Sequence, residues 1–109
     1  MATEACVVFL TAANREEAEK ISRTLVTERL AACVNQAGEV RSRYWWDGKI
    51  ETGAEILVIA KTTRRAFPRL QKRVRELHSY SVPEVIALPV IDGNPAYLRW
   101  IKDSLKQSR

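Results

Sequence analysis

The chain has 109 residues, 46% of them hydrophobic, which suits one compact domain over residues 1–109 and excludes a disordered tail. Its net charge of +5 raises the question of nucleic-acid binding without answering it. The two cysteines, Cys6 and Cys33, are too widely spaced for a disulfide framework or a zinc knuckle, and the longest apolar runs, residues 56–60 and 85–91, fall far short of the roughly 20 residues of a membrane span.

The first two predicted elements are a strand and a capped helix. Residues 6–11 (CVVFLT) are apolar and β-rich, which predicts the first strand. Asn14 can cap the following helix, with Glu17 three residues on as a capping box requires, and we expect the helix to end near Leu30. Its apolar face consists of Ala18, Ile21 and Leu25.

The second strand is predicted to be long and to end in a tight turn. It opens with residues 31–36 (AACVNQ), bends at Gly38 and resumes over residues 40–46 (VRSRYWW). Asp47 and Gly48 follow, flanked by strand formers on both sides, which is the strongest hairpin signal in the chain.

The third strand and the second helix come next. We predict a strand over residues 49–62 with a bulge at Gly53, and a helix from about Arg64 to His78. Pro83 cannot continue that helix and biases the residue before it toward an extended backbone. The inner stripe of the helix consists of Phe67, Leu70, Val74 and Leu77.

The chain is predicted to close with a strand and a short helix. Residues 84–91 (EVIALPVI) read as the fourth strand, and Pro89 places that strand at a sheet edge. Asn94 and Pro95 read as an N-cap followed by proline at the first helical position, which predicts a last helix ending near Lys106.

The predicted order, β-α-β-β-α-β with an extra C-terminal helix, is the ferredoxin-like plan of an α+β protein with one antiparallel sheet. Its first and third strands should be central, and here both are apolar on both sides (CVVFL and ILVIA). Two helices can cover only one face of the sheet. About six aliphatic side chains, worth roughly 10 kcal/mol if buried, would otherwise meet water, which favours a symmetric homo-oligomer.

The strongly basic second helix is either a phosphate or nucleic-acid surface or a solvated outer face. RNA-binding domains of this topology need aromatic residues on both central strands for base stacking. The third strand has none in EILVIAKT, and the first has only Phe9. The pattern therefore argues against nucleic acid as a partner.

Side chains with metal or catalytic chemistry are few. His78 is the single histidine, and it lies where the second helix should end, so the helix dipole favours its protonated form. Cys33 could be a nucleophile with His78 as its base, or a small buried strand residue. A tight metal site needs three or four converging ligands, so one histidine per chain predicts weak metal binding at most. With no motif of a known enzyme class present, we predict no catalysis.

The adjacent tryptophans Trp45 and Trp46 must point to opposite faces of their strand. One ring can pack on its own domain while the other forms a ligand platform or a subunit contact. The alternative is an ordinary hairpin stabilised by cross-strand aromatic pairs.

Five stretches, in order, carry a family resemblance: ERLAACVN, YWWDGKIE, EILVIAKT, HSYSVPEVIALPV and YLRWI. Together they resemble the CutA family of divalent-cation tolerance proteins over nearly the whole chain. The resemblance implies a ferredoxin-like fold and a tight homotrimer with inward-facing sheets, similar to the PII signalling proteins, which bind small ligands in clefts between subunits. It also implies a link to copper tolerance, weak binding of divalent metals and no firmly attached catalytic activity.

The resemblance also implies roles for particular residues. The copper-related cysteine of the family falls on Cys33, and the histidine before a tyrosine falls on His78. The polar and aromatic group near the subunit cleft falls on Trp45, Lys61, Tyr80 and Glu84.

These observations predict a homotrimer of the copper-tolerance type that responds to metal ions. We expect no obligatory cofactor, weakly bound copper(II), no membrane association, and a small-molecule ligand as a further partner. The first residues show no positive leader or cleavage pattern, so a cytoplasmic location is expected. The alternative is an enzyme or metabolite sensor whose site lies in the intersubunit cleft.

Overall fold

The computed structural model describes residues 3–106, in which strands and helices follow the predicted order. The strands are β1 (Ala5–Ala12), β2 (Cys33–Trp46), β3 (Lys49–Thr63) and β4 (Val85–Pro89). The helices are α1 (Arg15–Thr27), α2 (Phe67–Leu77) and α3 (Pro95–Ser104). The strands form one antiparallel sheet in the order β2-β3-β1-β4, which confirms the ferredoxin-like α+β fold, the central first and third strands and the edge position of the fourth.

The predicted caps of the first and last helices are confirmed. The Asn14 side chain accepts a hydrogen bond from the Glu17 backbone N–H at 2.8 Å, and the Glu17 carboxylate accepts one from the Ala13 N–H at 2.8 Å. The Asn94 side chain accepts from the Ala96 N–H at 3.0 Å. Each bond satisfies a backbone donor that the helix itself leaves unpaired.

The second helix begins later than predicted, at Phe67 instead of residue 64. Residues 64–66 form a turn, in which the Thr63 hydroxyl accepts a hydrogen bond from the Ala66 N–H at 3.2 Å. Pro68 then falls in the first helical turn, where its missing N–H costs nothing.

The hairpin between β2 and β3 is confirmed in its turn but not in its bulge. Asp47 and Gly48 both have positive φ, 53° and 77°, as a two-residue turn of type I′ requires. A register shift lies at Gly38, where φ is 115°, which confirms the predicted bend. Gly53, in contrast, pairs in register with Ser42, so the bulge predicted at Gly53 is wrong. The extra residue is accommodated in β2 instead.

The hydrophobic core lies between the sheet and the first two helices. Side chains at alternate positions of β1 and β3 meet the predicted inner stripes of α1 and α2, which are confirmed. Phe67 and Leu77 are half-buried at the rim of this core. Its fully buried members include Val8, Leu10, Ile21, Leu25, Val58, Leu70 and Val74.

The opposite side of the sheet, called here the open face, is also apolar. Its side chains are Val7, Phe9, Leu57, Ile59, Ile86 and Leu88. Of these, Ile86 and Leu88 on the edge strand β4 are 53% and 43% exposed. Helix α3 contacts β1 and β3 and covers only one end of this face, which leaves the aliphatic surface that the sequence pattern predicted.

Candidate functional site

The two side chains predicted to bind metal lie at different ends of the sheet. Cys33 pairs with Lys61, and Lys61 pairs in turn with Val7 on β1. The His78 ring instead bonds the backbone of Thr11, four residues further along that strand. At about 3.3 Å per residue this separates the two by roughly 13 Å. Within one subunit, Cys33 and His78 therefore form neither a nucleophile–base pair nor a shared metal site.

The Cys33 thiol is free and half-buried at one end of the open face. Its Sγ lies 3.8 Å from Asn35 Oδ1, which also accepts a hydrogen bond from the Lys61 ammonium. Burial, with the adjacent Cys33 and its hydrogen bond, raises the pKa of Tyr97 on α3. Across residues 3–106, no three His, Cys, Asp or Glu side chains converge on one point. A metal ion at Cys33 would need ligands from another subunit.

The His78 side chain is completely buried and fully hydrogen-bonded. Its Nε2 lies 2.6 Å from the carbonyl oxygen of Thr11, and its Nδ1 accepts a bond of 3.0 Å from the Tyr80 N–H. A carbonyl can only accept and a backbone N–H can only donate, so Nε2 donates to Thr11 and Nδ1 accepts from Tyr80 in this arrangement. Metal coordination by His78 would first have to break one of these bonds.

Hydrogen bonds to Glu17 join the beginning of α1 to the residues after α2. Its carboxylate accepts hydrogen bonds from the backbone N–H groups of Ala13, at 2.8 Å, and Ser79, at 2.9 Å. Burial alone would raise the pKa of Glu17, but the bonds from Ala13 and Ser79 together outweigh it and lower the pKa below its ordinary 4.5. The negative charge on Glu17 therefore stabilises the fold.

We expect the Glu17→Gln variant to unfold more easily at pH 7 and to lose less stability in acid than the unmodified protein. Because the folded-state pKa of Glu17 is depressed, its contribution is present above the ordinary value of 4.5 and is lost as pH falls through the folded pKa. Urea unfolding from pH 7 to pH 3 measures both effects. Glu16→Gln, at an exposed neighbouring position, is the control. Parallel pH curves for the unmodified protein and Glu17→Gln would contradict this role.

A cavity of about 630 Å³ lies where the β2–β3 hairpin meets the segment after α2. Tyr80 and Glu84, both predicted cleft residues, line it. Trp45 does not: it is 72% exposed on the other side of β2, and Trp46 lines the cavity in its place. Lys61 lies near Cys33, away from the cavity. The structure therefore brings together two of the four predicted cleft residues.

Sequence reasoning did not assign Tyr44 or Glu55 to the cleft, and it singled out Trp46 only as one of the tryptophan pair. Tyr44 and Trp46 could have been assigned to one site from the sequence, because alternate residues of a strand face the same side of the sheet. Glu55 is only 9% exposed, and it is the acidic residue that opens the apolar run of the third strand. Burial, followed by the charge and hydrogen bond of Glu55, raises the pKa of Tyr80. The Tyr80 hydroxyl therefore keeps its proton at neutral pH.

Residues 6–104 match the family model described as CutA1 divalent ion tolerance protein. The chain is 46% identical over 98 residues to the divalent-cation tolerance protein CutA of Thermus thermophilus, covering 90% of this chain and 95% of that one. It is 44% identical over 102 residues to Protein CutA 1, chloroplastic, of Oryza sativa, covering 94% of this chain but only 58% of that relative. The fold is similar to that of the periplasmic divalent cation tolerance protein CutA from Archaeoglobus fulgidus, with a TM-score of 0.90, 36% identity and coverage of 94% and 99%.

Proposed function

Because the chain belongs to the CutA1 divalent ion tolerance family, we propose that it acts in the cellular response to divalent cations as a non-enzymatic homotrimer. Relatives named divalent-cation tolerance proteins support the family-level role. The proposal for this chain adds three finer statements. The protein assembles from three copies, it binds copper(II) weakly, and it works in the cytoplasm.

The open face is the observation that carries the proposed assembly. On the edge strand, Ile86 and Leu88 are 53% and 43% exposed in the single subunit. Val7, Phe9, Leu57 and Ile59 continue this apolar surface across the sheet. A continuous apolar surface of this kind marks an interaction site in a small protein. Three copies with inward-facing sheets would remove it from water by a closed, symmetric arrangement.

The proposed metal binding is weak because each subunit offers few ligands in one place. Cys33 supplies a thiol beside the open face, and the subunit provides no cluster around it among the residues described. Side chains from adjacent copies would have to complete the site, with His78 joining only if it releases the Tyr80 N–H. Copper(II) is the favoured ion because it binds nitrogen and sulfur ligands most strongly in the divalent series. No cofactor is obligatory in this proposal.

The cytoplasmic location is proposed from cysteine usage. Cys6 and Cys33 are both free thiols, as a reducing compartment would keep them. In residues 3–106, no helix combines the length and apolar character needed to cross a bilayer. The names of the rice and Archaeoglobus relatives place those proteins in the chloroplast and the periplasm, so members of the family occupy several compartments.

Calorimetric titration of copper(II) into the purified protein at pH 7.5 tests the metal proposal. We expect a Kd of about 1 μM or weaker, and at least a roughly tenfold loss of affinity in Cys33→Ala. Cys6→Ala is the matched control, because that thiol is 2% exposed in the core behind the sheet. Zinc is titrated in parallel, since it has no redox chemistry with thiols. Nanomolar binding that survives Cys33→Ala would show that the site lies elsewhere.

A second candidate function, an enzyme or metabolite sensor, is favoured by the cavity beside the hairpin. The cavity is lined by a buried carboxylate, Glu55, and by the phenol of Tyr80. Concave sites with a few converging polar groups are the usual places for small ligands. Such a ligand would regulate or be converted by the protein independently of any metal bound at Cys33.

A further inference from the structure

The cavity beside the hairpin combines negative charge with aromatic surface. Glu55 and Glu84 are its two acidic residues, and Glu55 is 9% exposed. Its aromatic lining comes from Tyr44, Trp46 and Tyr80. A buried carboxylate attracts a positive charge, and the faces of aromatic rings attract one as well. Both features therefore favour a ligand that carries a positive charge.

No positive side chain of the lining balances this charge. Arg43 belongs to the lining, but it stands between Ser42 and Tyr44 in β2, so its side chain points to the opposite side of the strand. The Lys61 ammonium bonds Asn35 near Cys33, away from the cavity. The charge that faces the cavity is therefore that of Glu55 and Glu84.

The cavity is held in shape before any ligand arrives. The backbone of Tyr80 is fixed by its bond of 3.0 Å to the buried His78 ring, and the Tyr80 ring packs against that of His78 with 4.7 Å between the ring centroids. The volume of about 630 Å³ lies inside the roughly 300–1,000 Å³ range of small-molecule sites. Such preorganisation lowers the entropy that a ligand loses on binding.

From this combination we infer that the cavity binds a small organic cation, an amine or a quaternary ammonium compound. Its charge lies against Glu55, and its carbon skeleton packs on Trp46 and Tyr44. This inference rests on the small-ligand part of the proposed function and is independent of copper binding at Cys33.

A metal ion fits the same cavity poorly. Divalent ions need three or more converging oxygen, nitrogen or sulfur ligands, and no such cluster occurs in the described part of the chain. Aromatic walls favour a weakly hydrated organic cation over a strongly hydrated metal ion.

Choline and its neutral isostere 3,3-dimethylbutan-1-ol are the probes for this inference. They have nearly the same shape and differ in charge, so titration of both into the unmodified protein isolates the charge recognition. We expect choline to bind with a Kd of about 1 mM or tighter, and the alcohol to bind at least about tenfold more weakly.

Two variants and one control locate the site. Glu55→Gln and Trp46→Ala should each weaken choline binding by roughly tenfold. Glu51→Gln is the matched control, because Glu51 lies on the same side of β3 but is exposed and outside the cavity lining. Equal affinity for the two probes, no choline binding, binding unchanged in Glu55→Gln, or a cavity that takes copper(II) but not choline would each overturn the inference.

Light scattering on the same samples separates this inference from the proposed assembly. A trimer that fails to bind choline overturns the organic-cation site and leaves the homotrimer standing. A monomer that binds choline supports the site and overturns the homotrimer. A monomer without binding overturns both.

Discussion

The Ile86→Glu variant is expected to scatter light as a monomer of 12.4 kDa, where the unmodified protein has about three times that mass. Ile86 is 53% exposed on the edge strand of the single subunit, so a glutamate there leaves the isolated fold intact. In the proposed trimer the same carboxylate would be buried against apolar side chains without a partner. An unpaired buried charge costs about 3–5 kcal/mol, and the trimer would contain it in every copy.

Val26→Glu is the control for this experiment. Val26 is 44% exposed on α1, so the control makes the same change of chemistry on a helix behind the sheet. We expect it to keep the mass of the unmodified protein. An Ile86→Glu protein that also keeps this mass and its stability would show that the open face is not the interface.

Replacement of His78 by alanine is expected to lower the free energy of unfolding by about 2–4 kcal/mol. The variant removes a side chain that is 0% exposed and leaves two backbone groups, the Thr11 carbonyl and the Tyr80 N–H, without their partner. It also releases the backbone of Tyr80 at the wall of the cavity. Urea unfolding at one fixed protein concentration measures the change, since assembly makes the apparent stability depend on concentration.

Two further variants identify the cause of the lost stability. His78→Gln keeps an amide that can donate to the Thr11 carbonyl, so it should lose less than His78→Ala. Lys72→Ala, at an exposed position of α2, should change the free energy by no more than about 0.5 kcal/mol. A loss of similar small size in His78→Ala would mean that His78 has no structural role.

Features set by neighbouring residues could be predicted from the sequence. The caps at Asn14 and Asn94 need only the next two or three backbone N–H groups. The turn at Asp47 and Gly48 needs only two residues that tolerate positive φ. The apolar open face followed from alternation within each strand, because the side-chain period of a strand is two.

Two local predictions failed because another local interaction prevailed. The turn closed by the Thr63 hydroxyl delays α2 by one turn, although the residues before Phe67 are compatible with a helix. Two glycines, Gly38 and Gly53, could each have accommodated a β-bulge in the pairing of β2 with β3. The bulge lies at Gly38, whose φ is 115°, and Gly53 pairs in register with Ser42.

The candidate site depended on contacts that sequence spacing does not reveal. The His78 ring bonds the carbonyl of Thr11, 67 residues away in the chain. The cavity joins β2, β3 and the segment after α2, so the proximity of Glu55 to Tyr80 appears only in the folded chain. Cys33 is level with Val7 of β1, whereas the His78 ring bonds Thr11 of the same strand, so their separation also appears only in the folded chain.

The mass of the unmodified protein in solution, measured by light scattering across micromolar concentrations, tests the central claim most directly. The account predicts a single species of about 37 kDa, three times the chain mass of 12.4 kDa, because only assembly covers the open face. A monodisperse 12.4 kDa monomer over the same range would contradict it.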